Sequence, residues 1–167
     1  MLRLITAILA LLIVACEGQK GETPYSETSA QTLEEKSIIP QKKYALLIVE
    51  SKSCIYCKQL NKDIETEKNL QEALRDIDLF RILYESKAPV KANFGGSVFE
   101  LSENELAKKL NALSFPYLIF YDRDGNIILQ IPGYVYPQQL ICIIDYVKTE
   151  AYRQEDVNTY VKRKGCA

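Results

Sequence analysis

The sequence predicts an α/β domain in which helices flank a central mixed sheet that is closed by an antiparallel hairpin. Residues 44–49 are apolar throughout, which is typical of a central strand covered on both faces. Residues 117–121 and 126–131 are also strand-like, and they flank a Gly-containing turn at 122–125. Helical patterns separate the first strands, and this alternation indicates a parallel start to the sheet.

The segments between these strands supply the first helix and a second strand. Apolar residues recur near helical spacing from Leu60 to about residue 75, which predicts one helix. Residues 78–84 predict the second strand. Residues 88–100 contain Pro89 and two adjacent Gly residues, so we expect a loop or a small hairpin there.

Capping residues mark the later helices. Ser102 is followed three positions later by Glu105, a capping box that predicts a helix as far as about residue 112. Pro137 is expected at the start of the next helix. Residues 152–164 predict a further amphipathic helix.

The composition excludes several classes of function. The 167 residues carry 21 Lys and Arg against 22 Asp and Glu. The net charge of −1 leaves no excess of positive charge of the kind that binds nucleic acid. The chain contains no His. It therefore cannot form a Ser-His-Asp or Cys-His catalytic group, a His-ligated zinc site or a Cys-x-x-Cys-His haem attachment.

Residues 1–15 predict a signal peptide. A basic start precedes an apolar run whose helix, at ~18 Å, is too short for a ~30 Å hydrocarbon core. The run ends in Ile-Val-Ala directly before Cys16 and resembles the lipobox of bacterial lipoproteins, which implies that Cys16 receives a lipid. The alternative is an ordinary cleaved signal in which Cys16 has no role.

The remaining chain divides by composition into three parts. Residues 16–40 are mostly polar and are expected to be the lipidated Cys and a flexible linker. Residues 41–150 are expected to form the folded domain, and residues 151–167 a helical extension with a tail.

The pair Cys54 and Cys57 is the main candidate for chemistry. At a spacing of three on a helix, the two side chains share one face and can form a disulfide. A Cys at the helix N-cap faces unpaired N–H groups and the positive end of the helix dipole, which favour the nucleophilic thiolate. Lys52 and Lys58 would add positive potential.

Three other interpretations of this pair stay open. A zinc half-site would need two more ligands, and only Cys142 and Cys166 remain in the later chain. A purely structural disulfide would close a ring so small that it removes little chain entropy. A copper site is weakened by the lack of His. We expect no metal ion in the site.

Further motifs give a specific resemblance to the thioredoxin-like superfamily. Cys54-Ile-Tyr-Cys57 lies between a strand and a helix, and Ser114-Phe-Pro116 directly precedes an apolar strand. The hairpin turn at 122–125 and Ile131-Pro-Gly-Tyr134 complete the pattern, which covers residues 41–147. The closer likeness is to the exported branch that includes periplasmic disulfide isomerases and thioredoxin-like proteins of sulfur-oxidation gene clusters. The resemblance implies a thioredoxin fold.

The resemblance also implies roles for individual residues. Cys54 would be the attacking thiol and Cys57 the resolving thiol. Pro116 would be a cis-proline packed against the disulfide, and the Phe115 backbone with Pro116 would bind an extended substrate.

The chain departs from the thioredoxin pattern at two places. Ile55 and Tyr56 replace the Gly-Pro between the cysteines, and Ile48 replaces a buried Asp six residues before the first Cys. Glu50 is the nearest substitute as proton acceptor for Cys57, although a solvated carboxylate at a strand end is an equal alternative. Both departures suggest a dithiol more oxidising than the ~−270 mV of thioredoxin.

These expectations combine into a membrane-tethered, periplasm-facing thiol–disulfide oxidoreductase of the bacterial cell envelope. Its partners would be protein thiols and disulfides and a membrane electron donor or acceptor, with no organic cofactor and no nucleic acid. We expect a monomer with reductase-like activity, but reductase, oxidant and isomerase share these residues. The alternatives are a non-catalytic binding lipoprotein with a thioredoxin fold, or a Cu(I) metallochaperone. Inner and outer membrane both remain open.

The last two cysteines give no decisive pattern. Cys142 lies in an apolar helical segment and is expected to be a small buried hydrophobic residue. Cys166 follows a basic segment near the end of the chain and is expected to be mobile and exposed. Whether the two form a disulfide stays open.

Overall fold

The computed structural model describes residues 35–166. The predicted signal peptide, Cys16 and the linker as far as residue 34 lie outside the described residues. The elements, in chain order, are β1 (Lys36–Ser37), β2 (Tyr44–Glu50), α1 (Ile55–Thr66), α2 (Lys68–Leu74), β3 (Ile77–Leu83), β4 (Pro89–Phe94), β5 (Ser97–Ser102), α3 (Glu103–Lys109), β6 (Tyr117–Asp122), β7 (Ile127–Pro132), α4 (Pro137–Lys148), a 3₁₀ helix (Ala151–Arg153) and α5 (Val157–Lys164).

The central sheet has the strand order β3-β2-β6-β7. β2 and β3 are parallel, with Tyr44 opposite Ile77. β2 and β6 are antiparallel, with Val49 opposite Tyr117, and β6 and β7 form the antiparallel hairpin. The prediction of a mixed sheet with a parallel start and a closing hairpin is confirmed.

Both faces of β2 are covered, as the continuous apolar run predicted. Leu46 and Ile48 pack in a cluster with residues of α1, α2, α4 and α5. Leu47 and Val49 point to the opposite face, in a second cluster with residues of α3 and β4. Because β2 is buried on both sides, its C-terminal end is fixed where the candidate site begins.

The single helix predicted to residue 75 is divided at Glu67. Glu67 is the C-cap of α1 and the N-cap of α2, with φ −85° and ψ 101°. Ile64 and Leu70 are both buried although they are six residues apart. Six residues do not make a whole number of turns at ~3.6 residues each, so one straight helix would turn Leu70 away from the core.

Residues 88–100 form a hairpin, which was one of the two expected alternatives. β4 pairs with β5 across a turn at residues 95 and 96. The parallel pairing of β1 with β4 makes this a separate three-stranded sheet, an arrangement that no pattern in the sequence predicts.

The folded region begins earlier than the predicted boundary at residue 41. Ile38 is fully buried, at 0% exposure, and packs in the cluster that contains α3. Its carbonyl oxygen accepts a hydrogen bond from the Tyr121 hydroxyl at 2.6 Å. Lys36 pairs with the buried Glu103 at 2.5 Å. The polar composition of residues 16–40 concealed this short anchored segment at its end.

The C-terminal segment also differs from its prediction. The continuous helix expected over residues 152–164 is divided, and α5 starts after Asp156, whose carboxyl accepts from the N–H groups of Asn158 and Thr159. Tyr160 and Val161 of α5 are buried in the core cluster on the α1 face of the sheet.

Cys142 and Cys166 form a disulfide with a Cα–Cα distance of 6.4 Å. Cys142 is therefore not a small buried hydrophobic residue, and Cys166 is half-buried and bonded rather than mobile and exposed. Among residues 35–166, no helix combines the length and the apolar character needed to cross a membrane.

Candidate active site

The site is built where β2 leads into α1. Cys54 is the N-cap of α1, with φ −79° and ψ 106°, and its Sγ accepts a hydrogen bond from the Cys57 N–H at 2.9 Å. The Cys54 N–H donates to the Ser51 carbonyl at 3.1 Å, which closes the turn after β2. Cys54 and Cys57 form a disulfide with a Cα–Cα distance of 5.2 Å.

The two sulfur-bearing residues differ in burial. Cys54 is half-buried, whereas Cys57 is only 3% exposed. An external thiol or disulfide can therefore reach Cys54 first. When the bond is reduced, the free N–H groups and positive dipole end at the start of α1 stabilise negative charge on Cys54. Such a position favours the thiolate form.

The segment before β6 contains the second predicted part of the site. The Phe115–Pro116 peptide bond is cis. Pro116 is buried, and its carbonyl accepts a hydrogen bond from the Gly133 N–H at 2.8 Å. The Phe115 ring packs against Tyr84 with 5.0 Å between ring centroids. Leu113 just before this segment is exposed.

Glu50 ends β2 and is held by two polar partners. Its Oε1 accepts from the Asn61 amide at 3.0 Å and lies 3.5 Å from the Arg81 Nε. Arg81 also donates to the Asn61 Oδ1 at 3.0 Å, so the three side chains form one polar cluster. Ile48 on the same face is fully buried and carries no titratable group. A proton-transfer role for Glu50 stays a prediction.

Lys58 lies in the first turn of α1. Its backbone N–H donates to the Cys54 carbonyl at 3.4 Å, and its side chain is exposed. Lys52, in the turn before the site, is also exposed. Their proposed effect on the thiolate therefore acts through solvent, where charges are strongly screened.

An aromatic group that includes Tyr56, between the two cysteines, was not among the predicted site residues. The Tyr56 ring stacks on Tyr134 with 5.9 Å between centroids, and Tyr136 packs edge-on against Tyr134 at 5.2 Å. The Tyr134 hydroxyl donates to Asp63 Oδ2 at 2.5 Å. The spacing of seven between Tyr56 and Asp63 places both on one helix face. It does not indicate that Tyr134, 71 positions after Asp63, contacts them.

No metal-binding cluster is found in the part of the chain that the structure describes. Residues 35–166 contain no group of three or more Cys, Asp or Glu side chains placed to hold a metal ion.

Comparison with known proteins gives a family match over most of the chain. A sequence model described as a thioredoxin-like domain matches residues 32–148. No curated protein matches the sequence.

Comparison with solved structures gives alignments over much of the chain. A thioredoxin-fold protein from Helicobacter pylori aligns with a TM-score of 0.68 and 24% identity, over 79% of this chain and 90% of that chain. Mitochondrial thioredoxin 3 from Saccharomyces cerevisiae aligns with a TM-score of 0.46 and 18% identity, over 64% and 81%. The first similarity supports the thioredoxin fold.

Proposed function

Because the chain belongs to the thioredoxin-like domain family, we propose that it is a thiol–disulfide oxidoreductase that acts on protein disulfides through Cys54 and Cys57. The observation that carries this proposal is the placement of a half-buried Cys54 at the start of α1, bonded to a buried Cys57. This arrangement provides one accessible sulfur and one protected sulfur, which the two steps of disulfide exchange require.

In the reductive direction, the Cys54 thiolate attacks one sulfur of a substrate disulfide. A mixed disulfide forms between Cys54 and that sulfur, and the other substrate sulfur leaves as a thiolate that takes up a proton. Cys57 then loses its proton, attacks the Cys54 Sγ and releases the second substrate thiol. Two electrons pass to the substrate, and the Cys54–Cys57 disulfide must be reduced again by an external dithiol.

The cis-proline segment is proposed as the substrate-binding edge. Phe115 and Pro116 lie directly before β6, and an extended substrate can add strand-like hydrogen bonds to an available backbone edge. Glu50 is proposed as the acceptor of the Cys57 proton, since the buried Ile48 offers no titratable group.

The cellular setting is proposed from the sequence. A signal peptide over residues 1–15 and a lipid on Cys16 would tether the domain to the bacterial envelope, facing the periplasm. In that compartment protein disulfides persist, and a membrane electron donor would supply the reductase-like cycle. Incorporation of a labelled fatty acid that is lost in Cys16→Ser tests the anchor.

Trapping of a mixed disulfide tests the activity. Reduced Cys57→Ser protein should form a covalent adduct with insulin that dithiothreitol releases, because no resolving thiol remains. The Cys54→Ser variant is the matched control and should form none. Noncovalent capture that is equal in both variants would instead indicate a binding module, and stoichiometric Cu(I) binding without adducts would indicate a metallochaperone.

A further inference from the structure

One face of α1 carries three polar or aromatic side chains in a row. Tyr56, Gln59 and Asp63 are spaced by three and four residues and therefore lie one above another. Tyr56 is 63% exposed beside the cysteines, whereas Asp63 is only 7% exposed. A buried carboxyl is costly unless it has hydrogen-bond partners, and Asp63 has two.

Tyr134 lies along this face and contacts both of its ends. Its ring stacks on Tyr56, and its hydroxyl donates to Asp63 Oδ2 at 2.5 Å. Gln59 donates to the other carboxyl oxygen at 2.7 Å. Burial, and secondly the hydrogen bond to Asp63, raise the pKa of the Tyr134 phenol above its ordinary value.

The same short segment is bound to the cis-proline. Gly133 directly precedes Tyr134, and its N–H donates to the Pro116 carbonyl at 2.8 Å. Residues 133 and 134 therefore contact the helix that carries the cysteines on one side and the predicted substrate-binding segment on the other.

We propose that Tyr134 is a positioning residue which, held by Asp63, keeps the start of α1 and the Phe115–Pro116 segment in fixed relative positions beside the disulfide. This inference rests on the proposed oxidoreductase function. Protein substrates must contact Cys54 and the cis-proline segment together, so their rate of reaction depends on the relative positions of these two parts. The rate of a small reagent that contacts only the Cys54 sulfur does not depend on them.

The test compares these two kinds of reaction in the full chain. Insulin reduction with dithiothreitol as electron donor measures the first, and alkylation of reduced Cys54 by iodoacetamide measures the second. Tyr134→Phe keeps the stacked ring but removes the hydroxyl, and Asp63→Ala removes the acceptor. Asp63→Asn keeps an acceptor oxygen. Tyr146→Phe is the matched control, since its buried hydroxyl bonds to the Glu155 carbonyl elsewhere.

Tyr134→Phe and Asp63→Ala should each lower kcat/KM for insulin by roughly 3- to 10-fold, the range for losing one hydrogen bond. The double variant should be no worse than either single variant, because both changes break the same contact. Asp63→Asn should retain most of the rate, and Tyr146→Phe all of it. Alkylation of Cys54 should change less than about twofold, since the sulfur and its helix N-terminus remain.

Equal loss in both reactions, or multiplicative losses in the double variant, would overturn the inference. Amide hydrogen exchange provides a readout that needs no activity: Tyr134→Phe should speed exchange in residues 113–118, and unchanged exchange there would also overturn it. A wild-type protein that reduces no insulin would contradict the proposed function, and the exchange result would still decide the role of Tyr134.

Discussion

The Sγ of Cys54 accepts a hydrogen bond from the backbone N–H of Cys57 at 2.9 Å, so a sulfur atom caps the N-terminus of α1. At this position helices prefer an oxygen of Ser, Thr, Asp or Asn. The disulfide thus provides the helix cap in the oxidised protein. After reduction the same N–H is available to stabilise a Cys54 thiolate.

The first prediction is a lowered thiol pKa at Cys54. In the reduced protein its pKa should lie below the ordinary value of ~8.5, because the start of α1 stabilises the thiolate. The rate of iodoacetamide alkylation as a function of pH measures it, with the modified Cys identified by mass. Buried Cys57 is the internal comparison and should react more slowly at every pH.

The second prediction concerns the pH dependence of stability at Glu150. Hydrogen bonds from Lys43, Arg153 and Tyr44 lower the pKa of its carboxyl from 4.5 to about 2. A lowered folded-state pKa stabilises the protein above the unfolded value, and this stabilisation disappears as pH falls from about 4.5 to about 2.

Glu150→Gln should therefore lower the unfolding free energy at pH 7 more than at pH 3, measured by urea unfolding. Glu65→Gln, at an exposed position of α1, is the control for the loss of one negative charge. An equal effect of Glu150→Gln at both pH values would contradict the assignment.

The third prediction concerns the Cys142–Cys166 disulfide. It links α4 to the residue after Gly165 across a sequence separation of 24. Replacing both cysteines with Ser should lower the unfolding free energy by roughly 2–4 kcal/mol, because the unfolded chain gains freedom. Denaturant unfolding without reductant measures this loss, and Cys54 alkylation should be unaffected. A stability equal to that of the oxidised wild type would show that the bond adds nothing.

The fourth prediction distinguishes two glycines with positive φ. Gly125, in the β6–β7 turn, has φ +84°, and a Cβ there would lie 2.5 Å from the Asn93 carbonyl oxygen. Gly96 has φ +74° and open space around it. Gly96→Ala should lower the free energy of unfolding by ~1 kcal/mol, because it introduces only left-handed backbone strain. Gly125→Ala should lower it by more, because the added Cβ also meets Asn93. Equal losses in thermal unfolding would show that the contact with Asn93 is unimportant.

Local patterns predicted the main elements because their signals lie in adjacent residues. The apolar run in β2 and the hairpin turn before β7 were both confirmed. Ser102 and Glu105 form the predicted capping box at the start of α3. In each case the determining residues are a few positions apart, so no knowledge of distant contacts was needed.

Features that depend on distant contacts could not be predicted in this way. Asp63 resembles any polar residue on a helix surface until Tyr134, 71 positions later, covers it. The two-residue β1 is too short to give a periodic pattern, and its pairing with β4 and the burial of Ile38 depend on the completed fold. The pairing of Cys142 with Cys166 could not be predicted from the sequence, because the two residues come together only when α5 packs on α4.

The central claim is that Cys54 and Cys57 form a redox couple, and a redox titration tests it most directly. The protein is equilibrated in thiol–disulfide buffers of known potential, free thiols are alkylated, and the Cys54–Cys57 peptide is quantified by mass. We predict a two-electron transition with a midpoint potential above about −270 mV, the value for thioredoxin. If the protein is a reductase, the midpoint should also lie below about −220 mV. If the disulfide stays oxidised even in buffers with potentials below about −300 mV, it behaves as a structural disulfide, and this result would contradict the claim.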